Sequence, residues 1–223
     1  MPIDRRMLLR GVLTCACCVK AGVAIASEAP SHGGSAAAHW SYEGEGSPEK
    51  WGELQADFKV CQLGLEQTPI DLSKGIKGDV GSVEYDYKPL PLRILNNGHT
   101  IQVNADPGSA CVIGDTRYEL LQFHLHHPSE HLLAGKGFDL ECHFVHKAST
   151  GALAVTGVFI RPGAANAVLK AFFDQMPDKE GPEARLGGIV DIAAILPKNG
   201  GYFRYMGSLT TPPCSEGLTW TGP

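Results

Sequence analysis

The histidines of this chain are concentrated in one stretch. Residues 122–146 hold six of the nine histidines, written QFHLHH near the start of the stretch and ECHFVH at its end. Imidazole is the most common protein ligand of metal ions, and it also titrates near neutral pH. The stretch therefore has the residue types for a metal centre, and the elements that carry it decide which histidines could meet.

Strand parity selects three of the six histidines. Successive side chains of a β-strand point to opposite faces, so Gln122, His124 and His126 would share one face of a first strand. Glu141 and His143 would share one face of a second strand, and the segment between them has the Pro and Gly content of a connection between paired strands. If the two faces converge, three neutral imidazoles would hold zinc and leave its fourth position open. Gln122 and Glu141 could then orient the outer N–H groups of the ligands.

Less specific interpretations compete with this metal site. A lone histidine in a strand is usually a core or surface residue, and an H-x-H pair by itself is weak support for a metal. The E-x-H pattern of matching parity in the second strand favours the metal centre. We interpret His127, His131 and His146 as residues that form structural hydrogen bonds. No spacing in the sequence supports a Ser/His/Asp hydrolase.

Length and composition predict one soluble globular domain. The chain has 223 residues, of which 43% are hydrophobic and 19% are charged. Its 27 glycines and 15 prolines favour a fold rich in turns and sheet. The formal net charge is −5 and no basic stripe is visible, which argues against nucleic-acid binding.

The N-terminal residues 1–26 resemble an export signal. Arg5 and Arg6 precede a moderately apolar run that ends in a small-x-small cleavage site, and the paired arginines resemble a twin-arginine signal. Arg10 and Lys20 interrupt the apolar run, which argues against a stable membrane span. A lipid anchor on a cysteine of this run is less favoured, because none has a convincing lipidation context. We therefore predict a periplasmic or secreted protein.

The folded domain is expected to follow a linker and to carry four cysteines. Residues 27–38 are small and polar, which predicts a flexible linker, so the domain would span residues 39–223. The cysteines of the domain are Cys61, Cys111, Cys142 and Cys214. An even number in an exported chain permits disulfides, but four cysteines allow three full pairings and the spacing does not choose among them.

Hydrophobic periodicity predicts mostly strands and few helices. Alternation favours a strand at 83–87, and an apolar run predicts a buried strand at 152–160. Residues 165–176 have apolar side chains at helical spacing and predict a helix. Residues 177–188 are interpreted as a loop and residues 189–196 as a short helix. The fold class expected from this pattern is mainly β.

Several motifs occur together in a fixed order. They are HWSYEG, QTPIDL, NNGHTIQV, QFHLHHPSEH, DLECHFVH and YMGSLTTPPCSEGLTW. With these motifs the chain resembles the alpha-class carbonic anhydrases, in particular the exported bacterial branch, from about residue 39 to residue 220. The resemblance implies a single domain with a large, twisted, mostly antiparallel central sheet and a few peripheral helices.

The resemblance also implies roles for individual residues. It makes His124, His126 and His143 the zinc ligands, with Gln122 and Glu141 as their outer partners. It makes His99 the proton shuttle, Glu130 and Thr210 a gating pair, and Cys61 and Cys214 a disulfide. The substrate pocket would be lined by Val145, Val155, Leu209, Thr211, Leu218 and Trp220.

The activity implied by the resemblance is that of a lyase, the zinc-dependent reversible hydration of carbon dioxide to bicarbonate and a proton. Zinc-bound hydroxide would be the nucleophile. Thr210 would accept its proton in a hydrogen bond and donate to Glu130, and His99 would relay the released proton to buffer. The alternative is a non-catalytic zinc-binding or structural relative, against which the presence of all three ligand histidines counts.

The resemblance breaks at the C-terminus. The chain ends at residues 221–223, whereas the family continues through further strands and a terminal segment. The expectation is a truncated domain in which His126 is less firmly held and sheet edges are exposed. Exposed edges can pair with those of another chain, so a homodimer is a further expectation.

Overall fold

The computed structural model describes residues 39–198 and 201–222. The predicted export signal (1–26) and linker (27–38) lie outside the described residues and stay predictions. Among the described residues, no helix combines the length and the apolar character needed to cross a membrane.

Ten strands of the described residues form a single sheet, and the predicted mainly β fold class is confirmed. The strands are β1 Val83–Asp86, β2 Leu90–Asn96, β3 Ile101–Asn104, β4 Ala110–Ile113, β5 Thr116–His126, β6 Leu140–Ala148, β7 Leu153–Ile160, β8 Ala184–Val190, β9 Phe203–Ser208 and β10 Glu216–Gly222. Their order is β8-β2-β3-β5-β6-β7-β10-β9, and β4 pairs with both β5 and β1. Only β7 and β10 run parallel to each other; the other paired strands are antiparallel. The predicted mostly antiparallel sheet is confirmed.

The helices are few and short. They are α1 Trp51–Leu54, α2 Val60–Leu63 and α3 Ala167–Gln175, with 3-10 turns at Gly44–Gly46, Pro48–Lys50, Ala56–Phe58, Leu72–Lys74 and Ile192–Ile195. The helix predicted at 165–176 is therefore confirmed. It begins after Asn166, whose side chain accepts hydrogen bonds from the backbone N–H groups of Val168 and Leu169.

The main core lies on one face of the central strands. Phe123 of β5 and Phe144 of β6 are paired across the sheet, and both are fully buried. Val168 and Phe172 of α3 pack into the same cluster, together with Ile192. The helix therefore covers this face, which leaves the opposite face of β5 and β6 for the histidines that alternate with these residues.

The prediction for residues 177–196 is wrong in part. Strand β8, Ala184–Val190, occupies the end of the predicted loop and pairs with β2 at an edge of the sheet. The two glycines of β8 interrupt the alternation of apolar and polar residues that would predict a strand. The strand forms because β2 supplies its backbone hydrogen bonds, and this pairing cannot be predicted from the local sequence. Only the 3-10 turn Ile192–Ile195 remains of the predicted short helix, and Asp191 caps it through the N–H of Ala193.

A disulfide joins Cys61, in α2, to Cys214, in the loop before β10. The two Cα atoms lie 5.0 Å apart across a sequence separation of 153 residues, and the pairing implied by the family resemblance is confirmed. Within residues 39–198 and 201–222, Cys111 and Cys142 are buried free thiols. The bond therefore ties the N-terminal helices to the loop that carries Thr210.

Reduction of this disulfide should destabilise the fold. A cross-link across so long a loop restricts the unfolded chain, so we expect the free energy of unfolding to fall by about 2–4 kcal/mol on reduction. Urea unfolding with and without reductant measures the effect. A Cys61→Ala/Cys214→Ala variant is the control and should not respond to reductant; an equal response there would contradict the assignment.

His146 lies in the sheet as a buried polar residue outside the candidate metal ligands. Its Nε2 is 2.8 Å from the hydroxyl of Tyr87, and its Nδ1 is 3.3 Å from the carbonyl oxygen of Ala154. Burial lowers the pKa of His146 from its ordinary value of 6.5 to about 4, although the backbone contacts oppose the shift. His146 therefore binds a proton below about pH 6.5 in the unfolded chain, but only below about pH 4 in the folded protein.

We expect His146 to make the protein acid-sensitive. Stability contributed by a histidine with a depressed pKa is lost as pH falls, on the order of 2 kcal/mol between neutral pH and about pH 5. Urea unfolding of the metal-free protein across this range should show a flatter profile for His146→Gln than for wild type. Tyr87→Phe keeps the histidine and is the control. Parallel profiles for His146→Gln and wild type would contradict the prediction.

Candidate metal centre

Paired strands bring three histidines together. In the register of β5 and β6, His124 lies opposite His143 and His126 lies opposite Glu141, so all four side chains share a face. The ring centroids of His126 and His143 are 4.5 Å apart, and those of His124 and His143 are 5.3 Å apart. One nitrogen of each ring lies within 4.8 Å of the others. The convergence predicted from strand parity is therefore present.

His124 presents its Nε2 to the centre. Its Nδ1 is 2.8 Å from Oε1 of Gln122, which can only accept a hydrogen bond at that atom. The ring is therefore held as the tautomer with its proton on Nδ1 and a lone pair on Nε2. Burial, followed by the neighbouring His143 and His126, holds the pKa of His124 well below its ordinary value, which keeps the ring neutral at pH 7.

His143 faces the centre through its Nδ1, whereas His124 does so through its Nε2. Its Nε2 lies 2.9 Å from Oε1 of Glu141, although the alignment is poor for a hydrogen bond, and its Nδ1 lies 3.8 Å from Oε2 of Glu130. Gly157 of β7 is paired with His143, and a Cβ at this position would lie 2.9 Å from Oε1 of Glu141. A glycine is therefore required for β7 to approach the buried carboxylate.

His126 provides the test of whether a metal fits. Its Nε2 is buried without a hydrogen-bond partner among the described residues, and it lies 3.4 Å from Oε2 of Glu130. Burial lowers the pKa of His126 to about 3, with a smaller contribution from His143. Burial of a neutral imidazole nitrogen without a hydrogen-bond partner costs free energy, unless a ligand such as a metal ion binds to its lone pair. The three converging imidazoles, with no carboxylate in the set, fit a zinc ion.

A second cluster, of His131, Glu141 and His143, has the residue types of a metal site but not the free atoms. Nδ1 of His131 is 2.7 Å from Oε1 of Glu141, and its Nε2 is 2.6 Å from the hydroxyl of Tyr205. That hydroxyl donates to Oγ1 of Thr68 at 3.2 Å. Because both nitrogens of His131 are already paired, the second cluster supports Glu141, whose Oε1 contacts His143.

The sequence predicted part of this support. His127, His131 and His146 all form hydrogen bonds, and the Nδ1 of His127 lies 2.7 Å from the carbonyl oxygen of Asp139. Tyr205 and Thr68 were missed, because neither is near the histidines in sequence. A buried histidine without an assigned partner is the one signal that could have prompted a search for them.

Glu130, Thr210 and His99 line the cavity that reaches His126. The cavity has a volume of about 980 Å³. Burial raises the pKa of the Glu130 carboxyl to about 7, while His143 and a contact from the Thr210 hydroxyl oppose the shift. The structure therefore brings together the residues that the family resemblance names as gating pair and proton shuttle.

An apolar cluster adjoins the histidines. Val155, Leu218 and Trp220 are buried, and Val145 and Leu209 pack against them. The ring centroid of Trp220 is 4.9 Å from that of His143. Thr211 lies in the turn that follows Thr210, where its carbonyl accepts a hydrogen bond from the N–H of Cys214 at 2.9 Å.

Comparison with known proteins identifies the family. The family model for eukaryotic-type carbonic anhydrase matches residues 46–222. The chain belongs to the alpha, or eukaryotic-type, carbonic anhydrase family. A carbonic anhydrase of Nostoc sp. is 46% identical over 188 residues, which cover 82% of this chain and 71% of that protein. A carbonic anhydrase of Klebsiella pneumoniae is 43% identical over 185 residues, which cover 82% of this chain and 75% of that protein.

A solved carbonic anhydrase shares the fold. The alpha-carbonic anhydrase of Thermovibrio ammonificans, in complex with the inhibitor sulfanilamide, superposes with a TM-score of 0.80 at 40% identity, covering 83% of each chain. The predicted sheet and family are therefore confirmed, and the chain belongs to a family of enzymes.

Two adjacent histidines of this carbonic anhydrase family member offer a sharp test of the metal centre. Loss of an outer partner of a metal-bound histidine weakens metal binding by up to about 100-fold. His126→Ala removes a candidate ligand itself, so we expect it to weaken zinc binding by more than about 100-fold. His127→Ala removes an exposed imidazole one residue away and should bind zinc as wild type does. Zinc retained in competition with a chelator measures both, and equal retention would contradict the assignment.

Proposed function

We propose that the protein catalyses the reversible hydration of carbon dioxide to bicarbonate and a proton, with zinc as its cofactor. The observation that carries this proposal is the buried Nε2 of His126, which has no hydrogen-bond partner in the part of the chain that the structure describes and which faces the other two histidines beside an apolar cluster. His124 and His126 would bind through Nε2 and His143 through Nδ1. When bound to three neutral ligands, zinc lowers the pKa of a bound water towards neutrality, as is established for carbonic anhydrases.

The apolar cluster suits the substrate. Carbon dioxide carries no net charge and no dipole, so a wall of Val145, Val155 and Trp220 can hold it without a charged partner. Trp220 is fixed in this wall by a hydrogen bond from its Nε1 to the carbonyl oxygen of Ser208 at 2.9 Å. The wall would therefore offer an apolar substrate a position next to His143.

Glu130 and Thr210 would orient the nucleophile. The Thr210 hydroxyl group would donate a hydrogen bond to the carboxylate of Glu130, which leaves the Thr210 oxygen to accept a hydrogen bond from the nucleophile. The backbone N–H of Glu130 donates to Oε2 of Glu141 at 3.0 Å, and Oε1 of Glu141 contacts His143. Glu141 thus fixes the loop that carries Glu130 relative to a ligand histidine.

His99 would carry the product proton out of the cleft. Its ring lines the same cavity as Glu130 and Thr210, and it is partly exposed to solvent. An imidazole that titrates near neutral pH can accept a proton from water in the cleft and release it to buffer.

We also propose that the protein works outside the cytoplasm. The Cys61–Cys214 bond supports this, because structural disulfides persist mainly in oxidising compartments. Carbon dioxide and bicarbonate are the proposed small-molecule partners.

Stopped-flow measurement of carbon dioxide hydration tests the proposed activity. We expect the zinc-loaded protein to accelerate hydration and a chelator to abolish the acceleration. His143→Ala should reduce the rate to the uncatalysed background, because it removes one ligand, whereas His127→Ala should retain activity. Zinc binding without hydration would refute the proposal in favour of a non-catalytic zinc-binding relative.

A further inference from the structure

The segment between α3 and β8 is held against the turn that carries His99. The side chain of Asn96, which ends β2, donates from Nδ2 to the carbonyl oxygen of Pro177 at 3.3 Å. The backbone carbonyl oxygen of Asn96 accepts a hydrogen bond from the N–H of Gly181 at 3.1 Å. Two residues later, Glu183 accepts from Nε of Arg93 at 2.7 Å. Residues 177–183 are therefore fixed on the β2–β3 hairpin on both sides of Glu180.

This attachment places the carboxyl group of Glu180 over Gly98. A Cβ added at Gly98 would lie 3.2 Å from both Cδ and Oε2 of Glu180 and 3.6 Å from its Oε1. Gly98 has a φ of +86°, so a glycine serves both the backbone conformation and the close approach. The carboxyl group of Glu180 thus lies against the residue that precedes His99 in the sequence.

The other side of His99 meets the segment before α1. Its ring stacks on that of Trp40, with centroids 3.6 Å apart and planes 10° apart, and the ring of His39 lies at 5.3 Å. The backbone of the turn is fixed separately, because Oδ1 of Asn97 accepts from the N–H groups of His99 and Thr100. Both the backbone and the ring plane of His99 are therefore held in place.

Two titratable groups from different elements act on His99 within the described residues. Burial lowers the pKa of His99, and the charge of His39 lowers it further, while the charge of Glu180 raises it. Glu180 is therefore the one contributor that favours the protonated imidazole.

We propose that Glu180 is a positioning residue for proton release, which acts through His99 by stabilising its protonated form at the rim of the cleft. This inference rests on the proposed function. Glu180 touches neither the substrate nor the candidate metal ligands, so its effect is on the proton acceptor alone. Transfer from the cleft is most effective when donor and acceptor have matched proton affinities, and burial together with His39 would otherwise make His99 a poor acceptor.

The matched variants are Glu180→Gln and Asp178→Asn. Both remove one negative charge from the same segment, and it is the carboxyl group of Glu180 that lies against Gly98, the residue before His99. The titration of His99 is followed by NMR of its ring proton, assigned with His99→Ala. We expect Glu180→Gln to shift the His99 midpoint to lower pH by about 0.2–0.7 pH unit, the range for an exposed charge pair. Asp178→Asn should leave the midpoint in place.

Kinetics provide the second readout. Substrate is converted before the product proton is released to buffer, and the variant affects only the release. Glu180→Gln should therefore lower kcat for hydration by about 1.5- to 5-fold and leave kcat/KM as in wild type. Addition of imidazole to the buffer should restore kcat in both Glu180→Gln and His99→Ala, since free imidazole replaces the relay.

The outcomes separate this inference from the proposed function. Active wild type, a lowered kcat in His99→Ala and an unmoved His99 midpoint in Glu180→Gln would overturn the role of Glu180 and leave the proposed function standing. An inactive wild type would overturn both, and the NMR titration would still report whether the Glu180 charge reaches His99. A midpoint shift of equal size in Asp178→Asn would also overturn the inference, because it would show a general charge effect.

Discussion

The register of β5 against β6 is the constraint on which the rest of the structure depends. The same pairing sets His124 opposite His143 on one face and Phe123 opposite Phe144 on the other. A slip of one residue in either strand would exchange these faces, placing imidazoles in the apolar core and aromatic rings in the cleft. The core that stabilises the sheet therefore helps to specify the metal centre, because the register that pairs Phe123 with Phe144 also pairs His124 with His143.

Glu141 is the polar counterpart of that register. A carboxylate that is only 2% exposed is costly to bury unless each oxygen is paired. Its Oε2 accepts the backbone N–H groups of Glu130 and His131, and its Oε1 contacts His131 and His143. Burial alone would raise the pKa of this carboxyl, but the contacts with His131 and His143 outweigh burial and keep it ionised. One buried charge thus couples a ligand histidine to the loop of Glu130.

Local patterns in the sequence predicted what depends on strand parity and helical spacing. They selected His124, His126 and His143 from six histidines and located α3, because alternation and periodicity are properties of short segments. They could not predict β8, whose strand conformation depends on pairing with β2, or the Tyr205–His131 contact, which joins residues distant in sequence. The Cys61–Cys214 pairing required the family resemblance, since spacing left three pairings open.

The metal centre and the proton exit therefore differ in how they are built. The three candidate ligands lie on two adjacent strands, so their relative positions follow from one register. The surroundings of His99 come from three separate parts of the chain: the segment of Trp40, the β2–β3 turn and the segment of Glu180. Substitutions in the outer segments can change the electrostatic environment of His99 without moving a ligand nitrogen. The pH response of the proposed proton exit can therefore vary independently of the metal centre.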